Sequence, residues 1–122
     1  MSKKILIVED DPLLVKMYMT KFKAEGFNII HAKDGMDGWE KIKSEKPDMV
    51  ILDVMMPRMS GKDLLKAIRM TEGIKNLPIL MMSNINNPKE IEELKKYGVK
   101  EFLVKADNTP NQIVTKVKQY LG

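Results

Sequence analysis

Five short apolar runs, each followed by an amphipathic stretch, divide this chain, and that alternation constrains its fold more than any other feature. The runs Lys4–Val8, Asn28–Ala32, Met49–Leu52, Ile79–Met82 and Phe102–Val104 are too short for helices and suit strands covered on both faces. Between them apolar side chains recur at helical spacing: Leu14, Tyr18 and Phe22, then Met36, Trp39 and Ile42, then Leu64, Leu65 and Ile68. Ile91 and Leu94 continue the series, and Ile113, Val114, Val117, Tyr120 and Leu121 end it. The local signals agree. Asp11-Pro12 supplies a cap and a proline at the first helical position, and Asn87-Pro88-Lys89-Glu90 and Thr109-Pro110-Asn111-Gln112 repeat the device. Gly26 and Gly98 read as helix stops, and Pro47 closes the second helical stretch. Strict alternation predicts an α/β fold: one domain over residues 1–122, a doubly wound five-stranded parallel sheet in three α/β/α layers, with right-handed crossovers.

Composition removes several function classes. There are no cysteines, which excludes disulfides and thiolate metal sites and fits a reducing, cytoplasmic setting. No apolar run approaches a membrane span, and the run after Met1-Ser2-Lys3-Lys4 is too short for a signal peptide. The net charge is +4, but the lysines are scattered as on solvated helix faces, so direct nucleic-acid binding is not expected. Gly35 and Gly38 do not form a phosphate-cradling loop, so neither ATP nor a dinucleotide is an expected ligand. His31, the single histidine, falls within a predicted strand and reads as structural.

Parallel sheets of this kind bind ligands beyond the carboxyl ends of their strands. Glu9, Asp10 and Asp11 follow the first predicted strand, Asp53 ends the third, Ser83 the fourth, and Lys105 the fifth. Carboxylates brought this close repel one another, and a hard divalent cation relieves the repulsion. Mg²⁺ needs only one or two carboxylates and keeps positions open for phosphate oxygens. Asp10 and Asp53 are the expected direct ligands, with Asp11 next, through water, and the backbone carbonyl of Met55 completing the set. Glu9 is expected outside the direct ligands. Lys105 can pair with Asp53 at rest and with a phosphoryl oxygen afterwards, while Ser83 can donate a hydrogen bond to that group. An aspartate can act as a covalent nucleophile and form an acyl phosphate, its transition state stabilised by metal and ammonium charge.

The segments Ile5-Leu6-Ile7-Val8-Glu9-Asp10-Asp11, Pro47-Asp48-Met49-Val50-Ile51-Leu52-Asp53 and Met56-Pro57-Arg58-Met59-Ser60-Gly61, with Ser83 and Phe102-Leu103-Val104-Lys105, resemble the receiver domain of two-component response regulators. The likeness is to the single-domain, chemotaxis-regulator type and spans the whole chain. It implies the flavodoxin-like strand order 2-1-3-4-5. It implies a phosphoprotein switch rather than an enzyme: a histidine kinase or histidine phosphotransfer protein supplies the phosphoryl group to Asp53, and the domain assists its own phosphorylation and dephosphorylation. Ser83 then moves toward the phosphate, Phe102 turns inward, and a downstream protein target reads the face formed by the fourth helix, fifth strand and fifth helix. A phosphorylation-dependent dimer is a further partner form within this expectation; a membrane partner is not.

Two positions depart from the family pattern. Asn84 stands where a small residue is usual, with an amide that can crowd the phosphate or bond to it. Ala106 stands where a proline usually follows the lysine, which predicts either a trans Lys105–Ala106 bond with an altered loop or a strained cis bond. Two rival functions follow. An aspartate-nucleophile phosphatase would carry a second acid two residues after Asp53, where this chain has Met55. A pseudo-receiver, a phosphorylation-independent interaction module, is opposed by Asp10, Asp53, Ser83 and Lys105 together and favoured by Asn84 and Ala106.

Overall fold

The strands lie side by side in the order β2-β1-β3-β4-β5, every neighbouring pair parallel. They are β1 (Lys4–Val8), β2 (Asn28–Ala32), β3 (Met49–Asp53), β4 (Ile79–Ser83) and β5 (Glu101–Val104) in a computed structural model that describes residues 3–56, 58–84 and 87–121. The helices between and after them are α1 (Pro12–Ala24), α2 (Gly35–Glu45), α3 (Gly61–Arg69), α4 (Pro88–Lys95) and α5 (Pro110–Leu121), with a 3₁₀ turn at Lys105–Asp107. Both the fold class and the strand order are those expected. Pro57 of the loop motif, the amino-terminal Met1-Ser2 and the carboxyl-terminal Gly122 lie outside the described residues.

Strand alternation divides the core in two. Ile5, Ile7, Met49, Ile51, Leu80 and Met82 face α1 and α5, where Tyr18, Phe22, Ile113 and Val117 meet them. Leu6, Val8, Val50, Leu52, Ile79 and Met81 face the other way, toward Ile42 of α2, Leu64, Leu65 and Ile68 of α3, and Leu94 of α4. Period-two alternation thus puts apolar side chains on both faces of the inner strands, which is why these runs contain so few polar residues. Burying side chains of this size contributes roughly 1.5–3 kcal/mol each.

Each helix start is fixed locally. Asp11 accepts from the backbone N–H groups of Leu13 and Leu14, Asp34 from Asp37, Ser60 from Asp63, and Asn87 from Lys89 and Glu90. Thr109 and Gln112 form a reciprocal box at the start of α5. Such caps contribute on the order of 1 kcal/mol each. Two expected inward side chains face solvent instead. Met36 is 44% exposed and Tyr120 is 40% exposed. In α2 the inward stripe is Gly35, Gly38 and Ile42. A Cβ on Gly35 would lie 1.9 Å from the carbonyl oxygen of Met59, so the β3–α3 loop packs directly on the backbone of α2. Tyr120 turns its hydroxyl to Glu101 and the carbonyl of Lys100, a polar anchor that a buried ring would forgo.

Candidate functional site

All five strands run the same way, so their carboxyl ends share one edge of the sheet, and the predicted residues gather there. Asp10, Asp11, Asp53, Met55, Ser83, Asn84 and Lys105 line one cleft of about 470 Å³. Asp53 and Ser83 are the last residues of β3 and β4, and both are buried. The Lys105 ammonium crosses the cleft to donate to Asp53 Oδ2 at 2.9 Å. The backbone N–H of Met55 donates to Asp53 Oδ1 at 3.3 Å, so both carboxylate oxygens are oriented. Phe102 stands apart from the cleft, half-buried in β5 against the core on the α2–α4 side.

A close backbone contact shapes the loop after Asp53. The N–H of Gly61 donates to the carbonyl of Val54 at 3.0 Å. A Cβ on Gly61 would fall 1.9 Å from the carbonyl oxygen of Asp53. No side chain fits between the start of α3 and the end of β3, and only glycine allows this approach. Arg58, at φ 68°, reaches back to pair with the buried Asp34 at 3.2 Å, tying the same loop to the start of α2.

The acidic group differs from expectation in one member. Glu9, Asp10 and Asp53 form the cluster, each offering a carboxylate oxygen within 4.8 Å of the others. Asp11, an expected ligand, lines the cleft but turns its carboxylate to the N–H groups of α1, while Glu9 is fully buried beside Asp53. One Glu9 oxygen accepts from Lys105 at 2.6 Å, and the other is buried with no described hydrogen-bond partner. Burial first, then the neighbouring Asp53 carboxylate, push the Glu9 carboxyl up to about 8, against the opposing pull of Lys105. Burial alone would lower the Lys105 pKa, but its hydrogen bonds and charge interactions with Glu9 and Asp53 outweigh that and raise it. Asp11 was legible as a cap from Asp11-Pro12. That same reading gives its oxygen a partner, leaving Glu9 as the acid free to enter the site.

Support for the site comes from residues around it. His31 of β2 meets the carbonyl oxygen of Glu9 through Nε2 at 2.8 Å, which requires the proton on that nitrogen. Tyr18 of α1, 2% exposed, sends its hydroxyl to the Met82 thioether at 3.5 Å. The Lys105–Ala106 bond is trans, and the chain turns at once into the 3₁₀ turn. The two departures from the family pattern bond to each other: the N–H of Ala106 donates to Asn84 Oδ1 at 3.0 Å.

A five-stranded sheet in this order, with acids just after β1 and at the end of β3 and a lysine just after β5, defines a receiver-type signalling module. The family model for the response regulator receiver domain matches residues 5–118. The chain belongs to that family, and so to two-component signalling. It is 25% identical over 122 residues to the polar-differentiation response regulator DivK of Brucella ovis, covering all of this chain and 98% of that protein. It is similar to the chemotaxis protein CheY4 of Vibrio cholerae, with 30% identity, a TM-score of 0.89, and coverage of 99% of this chain and 100% of that one. The receiver domain of Francisella response regulator 1452 is 26% identical with a TM-score of 0.87, covering 97% of this chain and 95% of that one. Among the described residues no helix is long and apolar enough to cross a membrane.

Proposed function

We propose that Asp53 accepts a phosphoryl group from a phosphohistidine of a histidine kinase or histidine phosphotransfer protein, in a Mg²⁺-dependent step. The observation that carries this reading is the Lys105 ammonium held 2.9 Å from an Asp53 oxygen at the floor of an open acidic cleft. An Asp53 oxygen forms the new bond to phosphorus as the phosphorus–nitrogen bond to the donor imidazole breaks. The bonding pair leaves with the imidazole, and no proton has to move at Asp53. Lys105 is placed to follow the charge from the carboxylate to the phosphoryl oxygens, and the Ser83 hydroxyl serves the same group. Hydrolysis of the acyl phosphate resets the domain.

The donor set suits a hard cation. Three carboxylates converge, and the buried Glu9 oxygen, which has no hydrogen-bond partner among the described residues, is a position that a cation would satisfy. Asp10, Asp53 and Glu9 would hold it, with the Met55 carbonyl as a further oxygen and Asp11 reaching it through water. Bound there, Mg²⁺ would neutralise the incoming phosphoryl oxygens. Signal output would pass through Phe102 and the face of α4, β5 and α5 to a downstream protein. The pseudo-receiver alternative rests on Asn84 and Ala106, yet these pair with each other while Asp10, Asp53, Ser83 and Lys105 share one cleft.

The test is incubation with Mg²⁺ and a small acyl phosphate, read by intact mass. The protein gains one phosphoryl group and Asp53→Asn gains none. An unmodified wild type, or a modified Asp53→Asn, rules the proposal out.

A further inference from the structure

Ser83 and Val104 are the last paired positions of β4 and β5. Just beyond them a side chain makes a further contact between the two segments: Asn84 Oδ1 takes the N–H of Ala106 at 3.0 Å. The asparagine amide thus adds one rung to the β4–β5 ladder. Because a backbone N–H only donates, the Asn84 oxygen must face Ala106 and its NH₂ the other way. Lys105 lies between the last backbone rung and this added one. Its turn is closed further on by the N–H of Asn108, which donates to the Lys105 carbonyl at 3.3 Å, and by the Asn108 amide, which donates to the Val104 carbonyl at 2.8 Å.

We propose that Asn84 is a positioning residue that fixes the Lys105–Asp107 turn through the Ala106 N–H and so delivers the Lys105 ammonium to Asp53. A proline at position 106 would fix the turn by its ring and would have no N–H to offer. With alanine there, the chain regains its torsional freedom and exposes a donor, and the Asn84 amide captures both. This inference rests on Asp53 being the phosphoryl acceptor only for its kinetic consequence; the placement of Lys105 stands apart from it.

Two measurements test it. In the metal-free protein, NMR follows the Ala106 amide and the Lys105 side-chain ammonium. Asn84→Ala exposes the Ala106 amide to exchange and moves the Lys105 signal toward that of solvated lysines, whereas Asn84→Asp, which keeps the acceptor, preserves the protection. Phosphorylation by a small acyl phosphate is then followed in Asn84→Ala, in Lys105→Met and in the double variant. Loss of one hydrogen bond slows the single Asn84→Ala variant about three- to tenfold, and adds nothing once Lys105 is gone. An Ala106 amide and Lys105 signal unchanged by Asn84→Ala overturn the proposal, and so does an equal slowing with and without Lys105. If the wild type takes no phosphoryl group, the proposed function fails, and the two NMR signals alone decide the role of Asn84.

Discussion

The Glu9 carboxylate lies closer to the Lys105 ammonium, at 2.6 Å, than Asp53 does, at 2.9 Å. One lysine thus serves two buried acids, and the second Glu9 oxygen has no described partner. Replacing this carboxylate with an amide of the same shape removes a buried acid from beside Asp53. Glu9→Gln is expected to melt higher than the wild type in chelator, by on the order of 1 kcal/mol. Added Mg²⁺ should raise the melting temperature of the wild type far more than that of the variant. An equal Mg²⁺ response in both proteins would remove Glu9 from the cation site.

Tyr18 gives the fold an alkaline limit. Burial comes first among the causes that push its phenol up to about 12 from an ordinary 10.0. The folded state therefore holds this proton more tightly than the unfolded chain. Its contribution is complete below pH 10 and is lost as pH rises toward 12, a loss on the order of 2 kcal/mol. Tyr18→Phe should flatten this part of the pH profile in denaturant titrations, while costing roughly 1 kcal/mol at neutral pH through the lost hydrogen bond to Met82. Identical alkaline slopes for the two proteins would refute the assignment.

Gly61 is where backbone shape governs the placement of Asp53. Because a Cβ there would meet the Asp53 carbonyl at 1.9 Å, Gly61→Ala must push α3 away from β3. A destabilisation of about 2–4 kcal/mol is expected, together with at least tenfold slower phosphorylation of Asp53. Gly26, at φ 87° with open space around it, is the control: alanine there strains the backbone without touching the site. If urea melts and phosphorylation rates of Gly61→Ala match the wild type, the close approach has no such role.

Arg69 offers the converse case, stability without function. Its guanidinium donates to the carbonyls of Tyr97 at 2.6 Å, Leu77 at 2.7 Å, Lys75 at 3.0 Å and Gly98 at 3.2 Å. These carbonyls precede β4 and β5, at the end of the sheet opposite the cleft. A lysine cannot reproduce that planar fan of donors. Arg69→Lys is expected to lose about 2–4 kcal/mol in urea unfolding, with an unchanged phosphorylation rate below the transition. A rate that falls in step with stability would show that the two ends of the sheet are coupled.

Periodicity was a good guide wherever large side chains marked the buried face. It failed in α2, where Gly35 and Gly38 pack inward and Met36 does not, because hydropathy gives little weight to a glycine whose value is its lack of volume. Tyr120 misled in the opposite sense, since an aromatic ring with a polar tip can satisfy itself at the surface. The positions after each strand were enough to bring Asp10, Asp53, Ser83 and Lys105 to one cleft. They put Asp11 ahead of Glu9 at the cation, though the roles of these neighbours depend on which carboxylate turns to the start of α1, and that one is Asp11. Asn84 and Ala106, 22 residues apart, read as two unrelated departures in the sequence; the β4–β5 pairing ends one step before them and brings them close enough for the Asn84 side chain to reach the Ala106 N–H.

The place of β3 in the sheet has a mechanical consequence. Hydrogen-bonded to β1 on one side and β4 on the other, and buried along its whole length, the strand that carries Asp53 has no room to shift. It acts as an anvil. Under the proposed function, a blow struck there would have to be absorbed at an edge of the sheet, as at β5, which has a neighbour on one side only.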